Sequence, residues 1–306
     1  GRILAIYTAI VLTSMAVGQY LLGLAETNPL YPFILVSLLV GCAIVPVSLT
    51  RSLAPVLVPA TRFSFSKLYR RSHTAFAGGL GSGVITGSFW ALGAIYVLAQ
   101  TNDPSFVPAF IAANIIGGAL AQYPIGMASD RIDRRFVLSA LCAASGLSAF
   151  GLLYAETQQE LLLGAFAFGA AANSLYAISL AKAADNSKRD EFVTLGSSVL
   201  LLCALGSAGG SLIIGWAMRL MGNEALFGLL GCASVATGIF IAFQPPGKTS
   251  VGIDDQSAFI PSTSAMAPAA FEQDPRSGDE PESTVEPITE PDYDPSSELV
   301  LTEATA

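Results

Sequence analysis

Eight long apolar runs, free of Asp, Glu, Lys and Arg, constrain this chain more than any other feature. They are Ile3–Leu24, Tyr31–Leu49, Ala75–Ala99, Val107–Ala128, Phe136–Tyr154, Leu161–Ala181, Phe192–Ala217 and Leu226–Phe243. A helix that crosses a bilayer needs about 20 mostly apolar residues. One such run can be a soluble core helix, but eight in one chain predict an all-α membrane protein with about eight transmembrane helices.

The segments between the runs give an independent test. Loops on the cytoplasmic side collect Lys and Arg, whereas short translocated loops do not. Arg2 precedes the first run, and Ala25–Leu30 has no basic residue. Thr50–Thr74 has Arg51, Arg62, Lys67, Arg70 and Arg71, and Gln100–Phe106 has none. Ser129–Arg135 has Arg131, Arg134 and Arg135, and Ala155–Glu160 has none. Lys182–Glu191 has Lys182, Lys188 and Arg189, Met218–Ala225 has Arg219 alone, and Lys248 follows the last run. Thirteen basic residues fall on one side and one on the other, leaving out the distant Arg276. One helix missed or invented would break this alternation, which predicts both chain ends on the cytoplasmic side of a cell (inner) membrane.

Charge divides the chain a second way. From Val251 onward there are 13 acidic residues against Arg276, so the formal net charge of −8 belongs to that segment and the first 250 residues carry +4. Gln244–Ala306 also holds nine prolines and few large apolar side chains. Such a composition cannot bury enough apolar surface to offset its ordering entropy. It predicts a disordered acidic cytoplasmic tail, either plainly solvated or used as an interaction segment. Cys42, Cys142, Cys203 and Cys232 each lie within an apolar run, without metal-ligand spacing, and read as small buried residues.

One loop carries more than topology. The fourth run ends in Gln122-Tyr-Pro-Ile-Gly-Met-Ala-Ser-Asp-Arg-Ile-Asp-Arg-Arg135. Gly126 removes a side chain where two helices approach. Asp130 can sit by the positive N-terminal end of a neighbouring helix, or pair with Arg131 or a basic residue of another loop. Arg134 and Arg135 fix the loop on the inside. This stretch resembles the loop signature of the major facilitator superfamily of secondary transporters: Gly, three residues, Asp-Arg, one residue, Gly, then two basic residues. Gly126, Asp130, Arg131, Arg134 and Arg135 match, and Asp133 stands where the second Gly is usual. Leu175–Asn186 and Gly1–Tyr7 also look like a bacterial branch of that family whose substrates are uncharacterised.

The resemblance implies alternating-access transport of a small molecule across a lipid bilayer, with a proton or sodium as coupling ion. It further implies that Asp130 stabilises one state through an interaction that breaks when the cytoplasmic side opens. In the family the signature follows the second helix of a six-helix half. Residues 75–243 are then a complete C-terminal half, 51–74 a basic cytoplasmic linker, and 1–50 the last two helices of the N-terminal half. Four helices are expected to be missing before Gly1, and residues 244–306 form the tail. The alternative is a non-transporting sensor or scaffold of the same fold, with the tail as its interaction segment.

Polar residues within spans are scarce. Gly79, Gly83 and Gly87 recur at steps of four, as do Gly206 with Gly210 and Gly118 with Gln122 and Gly126. They read as packing stripes. Lys182 and Asp185 read as a surface pair at a helix end, and His73 as an interfacial residue beside Arg70 and Arg71. No carboxylate lies mid-span, so a titrating group for proton coupling is expected in the missing helices. In the family the first and fourth helices of each half line the cavity. Thr86 with Trp90, and Asn173 with Tyr176, are accordingly the substrate-contact candidates. Helix–helix hydrogen bonding is the alternative role for each, and Asn114 and Gln19 are weaker candidates. Gly18-Gln19-Tyr20 lacks the Gly-Pro pair of the antiporter signature, so the direction of transport is left open. One histidine, no metal-ligand cluster and no nucleophile–base pair argue against an enzyme, a metal or a cofactor. Nothing in the chain suggests a nucleic-acid partner.

Overall fold

A computed structural model describes residues 30–49, 63–185 and 192–244, with parts of 10–21. The first predicted run, the linker up to residue 62, residues 186–191 and the segment after Gln244 lie outside the described residues or are described only in fragments. Helix α1, Tyr31–Leu49, carries Pro46 within it and keeps its described side chains largely exposed.

The basic linker ends in a helix that its composition did not announce. Helix α2, Phe65–Arg71, is two turns long. The Ser64 hydroxyl accepts from the Lys67 amide at its start, and the Ser64 amide donates to Ser198 Oγ at 2.9 Å. Arg70 and Arg71 occupy its last turn, where a helix favours positive charge. Ser72 stops α2 and immediately caps the next helix by accepting from the Ala75 amide.

Six helices follow that are long and apolar enough to cross a membrane. They are α3, His73–Thr101; α4, Val107–Arg131; α5, Arg134–Leu152; α6, Gln158–Asp185; α7, Phe192–Met221; and α8, Ala225–Phe243. Each matches one of the last six predicted runs. Their boundaries follow local chemistry. Asn102, at φ 51°, ends α3 in the left-handed region, which Asn tolerates. Asp103 caps the 3-10 turn Pro104–Phe106 that leads into α4. Thr157 and Glu160 form a capping box at the start of α6. Gly222, at φ 94°, turns the chain between α7 and α8. The short links between α3 and α6 reverse the chain each time, so α4 and α6 both end on the basic face.

Two of the spans are not continuous α-helix. Gly83–Gly87 of α3 is a π-helical turn, and the helical ladder of α6 is interrupted at Asn173 and Ser174.

Small residues set how the spans meet. In lipid, helices gain little from burying apolar surface against one another, so close backbone approach and good packing decide association. Gly79, Gly83 and Gly87 face Val199, Cys203 and Ser207 of α7, while Gly206 and Gly210 face Leu80 and Val84 of α3. A Cβ on Gly83 would strike the Cys203 backbone. The stripes Gly79–Gly87 and Gly206–Gly210 are thus two sides of one seam, while Gly118 of the third stripe faces Asn173 of α6. A second seam joins α4 to α6, where Gly117 meets the Phe166 backbone and Gly169 meets that of Asn114. Between the seams, at the non-basic end, lies an aromatic cluster. Phe89 stands 5.9 Å from Phe110 and 5.5 Å from Phe168, ring centre to ring centre. Tyr96 meets Phe227 edge-on at 4.6 Å. Its hydroxyl donates to the Leu152 carbonyl at 2.9 Å, which satisfies the one polar atom the ring brings inside.

Candidate functional site: the loop between α4 and α5

Three neighbouring positions build the site. Asp130 lies in the last turn of α4, Asp133 caps α5 by accepting from the Arg135 amide at 2.9 Å, and Arg134 is the first residue of α5. The cap fixes where α5 begins, and this directs Arg134 back under the loop. Its side chain is 0% exposed. One guanidinium nitrogen donates to Asp185 Oδ1 at 2.7 Å and to the Ala181 carbonyl at 2.8 Å, both on α6. The other meets Asp130 Oδ1 at 3.4 Å. Asp185 is 2% exposed and Asp130 40%. Arg134 therefore bridges a buried carboxylate on α6 and a half-open one at the end of α4.

A second pair reinforces the first. Lys182 Nζ donates to Asp133 Oδ1 at 3.3 Å. Partial burial pushes the Asp133 carboxyl up. The Arg135 amide and the nearby Lys182 and Arg135 charges outweigh that and hold it below its usual range. Arg135 stacks on the Phe136 ring at 4.8 Å and donates to the carbonyl of Gln244, just past α8. The loop is thereby tied to α6 and to the end of α8. Gly126 is buried, its carbonyl accepting from Ser129 Oγ at 2.9 Å, and Arg131 is exposed.

These contacts correct one expectation. Lys182 and Asp185 do not pair with each other; each reaches across to the α4–α5 loop. Arg134 draws Asp185 inward, leaving Asp133 as the acceptor for Lys182. Asp133, the departure from the family pattern, supplies both a helix cap and an ion-pair partner. Asp130 pairs with Arg134, one turn on.

The cavity candidates are placed as follows. The Thr86 hydroxyl lies in the π turn and donates to the Ser82 carbonyl at 2.6 Å. Trp90 is 41% exposed, with its ring 6.1 Å from Phe89. Asn173 Nδ2 donates to the carbonyl and Oδ1 of Asn114, each at 3.2 Å. Asn114 is itself fully buried. Tyr176 is buried, and Gln19 is half-buried in the first described stretch. Asn173 and Asn114 are thus brought together across the α4–α6 seam, and Trp90 alone of the four is exposed. His73 packs edge-on to Tyr69 at 4.3 Å, at the basic end of α3. Among the described residues, no group of three or more His, Cys, Asp or Glu could hold a metal.

Sequence reasoning missed Asp185 as a site residue. The available signal was its place seven residues after Ile178, two full turns along the buried side of α6.

Apolar spans alternating in direction, with charges gathered on one end-loop, define a multi-pass α-helical membrane protein. Residues 75–277 match the family model of the Major Facilitator Superfamily. This chain belongs to that superfamily. It is similar to the uncharacterized MFS-type transporter YcaD of Escherichia fergusonii, at 25% identity over 236 residues, 76% of this chain and 61% of the relative. An uncharacterized MFS-type transporter of Yersinia pestis is 27% identical over 237 residues, 74% of this chain and 59% of the relative. The chain spans about three-fifths of the length of these curated relatives.

Proposed function

We propose that the chain serves a secondary transporter that moves a small molecule across a lipid bilayer by alternating access, with the α4–α5 loop as the latch of its cytoplasmic side. In this reading the six spans α3–α8 form one rocking half, and the basic loops face the cytoplasm by the charge rule.

The observation that carries the proposal is the fully buried Arg134 between Asp130 and Asp185. Removing one partner of a buried pair typically costs about 3–5 kcal/mol, because a charge is left stranded. Opening the loop to water as a whole strands nothing, since each charge regains solvent. Such a cluster favours two arrangements, closed and dry or open and wet, over any intermediate. A switch needs two discrete states of this kind. Gly126 seats the end of α4, Arg131 faces the aqueous side, and Arg135 anchors the loop to the end of α8. Among Thr86, Trp90, Asn173 and Tyr176, exposure favours Trp90 as a direct substrate contact. The bonds of Asn173 favour a role in holding α4 against α6.

The test uses the chain in sealed membrane vesicles, assayed for gradient-dependent flux of a panel of small solutes. Asp130→Asn should lower the flux of any transported solute about tenfold or more, the effect of ~1.4 kcal/mol. Its stability cost should stay within about 1 kcal/mol, because Asp130 is part-exposed. Unchanged flux in Asp130→Asn would remove the latch from the mechanism.

A further inference from the structure

We propose that a buried water-binding site lies in a wedge between α4 and α6, held by the Gln122 amide and the Ser174 hydroxyl beneath the Arg134 ion pairs. The site stands whether or not the chain moves a solute by alternating access.

The wedge follows from how the two helices part. Along Gln158–Ala172, α6 packs closely on α4, and a Cβ on Gly118 would strike the Asn173 side chain. At Asn173 and Ser174 the α6 ladder is interrupted, and Leu175–Asp185 no longer packs closely on α4. Gly118 and Asn173 thus form the apex. The mouth is at the basic end, where Arg134 joins Asp130 of α4 to Asp185 and the Ala181 carbonyl of α6.

Each wall carries a buried polar group without a protein partner. Gln122 is 4% exposed and Ser174 is fully buried. Neither Gln122 Nε2 nor Ser174 Oγ has a hydrogen-bond partner among the described residues. Their levels agree. Gln122 is one turn, about 6 Å, past Gly118 on α4, and Ser174 directly follows Asn173 on α6. Helical side chains lean toward the N-terminus of their helix, so Gln122 reaches back toward the level of Ser174. Their faces agree as well. Ser174 shares a stripe with Ile178, Ala181 and Asp185, the side of α6 that meets Arg134. Gln122 shares one with Gly126 and Ser129, both buried. Each stripe leads from the ion pairs into the span, and Ser174 lies roughly 16 Å below Asp185 along α6.

Water fits these groups better than an ion does. A buried water bonds about three polar groups that otherwise go unsatisfied. Here it accepts from Gln122 Nε2 and bonds Ser174 Oγ. The interruption adds acceptors at this level, because the Ala170 and Asn173 carbonyls receive no amide from four residues on among the described residues. A cation would meet the donor hydrogens of Gln122, and no carboxylate stands in residues 107–129 or 161–184 to draw one.

The test is water-edited solid-state NMR on the whole chain in lipid, with heavy nitrogen in the glutamine side chains. Magnetisation starts on water and reaches only protons beside it. Comparison with Gln122→Leu assigns the Gln122 amide. That amide should receive water magnetisation in the parent, as the exposed Gln100 and Gln158 do. A soluble gadolinium chelate should quench the transfer to Gln100 and Gln158 and spare Gln122, which marks a held water rather than an opening to solution. Ser174→Val fills the site and removes the hydroxyl, and should abolish the transfer to Gln122. No transfer to Gln122 in the parent, its quenching by the chelate, or its survival in Ser174→Val each overturns the proposal. If Ser174→Val does not fold, the parent spectra with and without the chelate decide.

Discussion

Arg134 and Asp185 lie 51 positions apart in the chain, yet their side chains meet at 2.7 Å with 0% and 2% of their surfaces exposed. Burial makes this pair costly to break from one side. Asp185→Ala should therefore lower unfolding stability by about 3–5 kcal/mol. Replacing both residues with Leu should cost less than the sum of the single changes. Thermal unfolding of the purified protein in detergent, arranged as a double-mutant cycle, checks this. Additive losses would mean the two charges do not depend on each other.

The glycine seams predict opposite outcomes for the same substitution. A Cβ at Gly83 or Gly117 meets the backbone of the facing helix. Gly83→Ala and Gly117→Ala should each destabilise by about 1–3 kcal/mol, as overpacking does. Gly209 and Gly228 have nothing within 4 Å of an added Cβ. Alanine there should stabilise by about 0.5–1 kcal/mol through helix propensity. Melting temperatures of the four variants should fall on either side of the parent.

Asn114 and Asn173 bridge α4 and α6. Hydrogen bonds between membrane helices are worth about 0.6 kcal/mol on average, with a maximum near 1.7. Asn173→Ala should stay within that range, well below the Asp185→Ala loss. A larger loss in unfolding assays would show that Asn173 carries more than helix contact.

Asp133 gives the loop a pH signature. Its folded pKa lies below the unfolded value of about 3.9. Its contribution is thus complete above that value and disappears as pH falls through the folded one. The stability difference between the parent and Asp133→Asn should be flat from about pH 5 to 7 and shrink below about pH 4, within the model-carboxylate range. Melting curves across that range check the sign, and a difference that grows on acidification would contradict it.

Six spans and their order were legible because length, apolarity and basic loops report the same thing. Helix α2 was not, because its caps, Ser64 and Ser72, sit in a stretch whose basic residues read as loop. The match at Gly126–Arg135 located the loop but not its partner. The contact between Arg134 and Asp185 depends on the rotation of α6, which spacing within the loop does not encode. The π turn left a trace in the strict four-residue repeat Gly79, Gly83, Gly87. Two such steps on a 3.6-residue helix drift around its axis, and a widened turn brings the three glycines back to one face.

The aromatic cluster and the ion pairs occupy opposite ends of the same bundle, and they respond differently to flooding. Water reaching Arg134, Asp130 and Asp185 rehydrates charges and refunds much of what their separation costs. Water reaching Phe89, Phe110, Phe168 and Phe227 meets only hydrocarbon and finds no compensating bond. Hydration therefore costs less at the ion-paired end of the bundle than across the aromatic cluster.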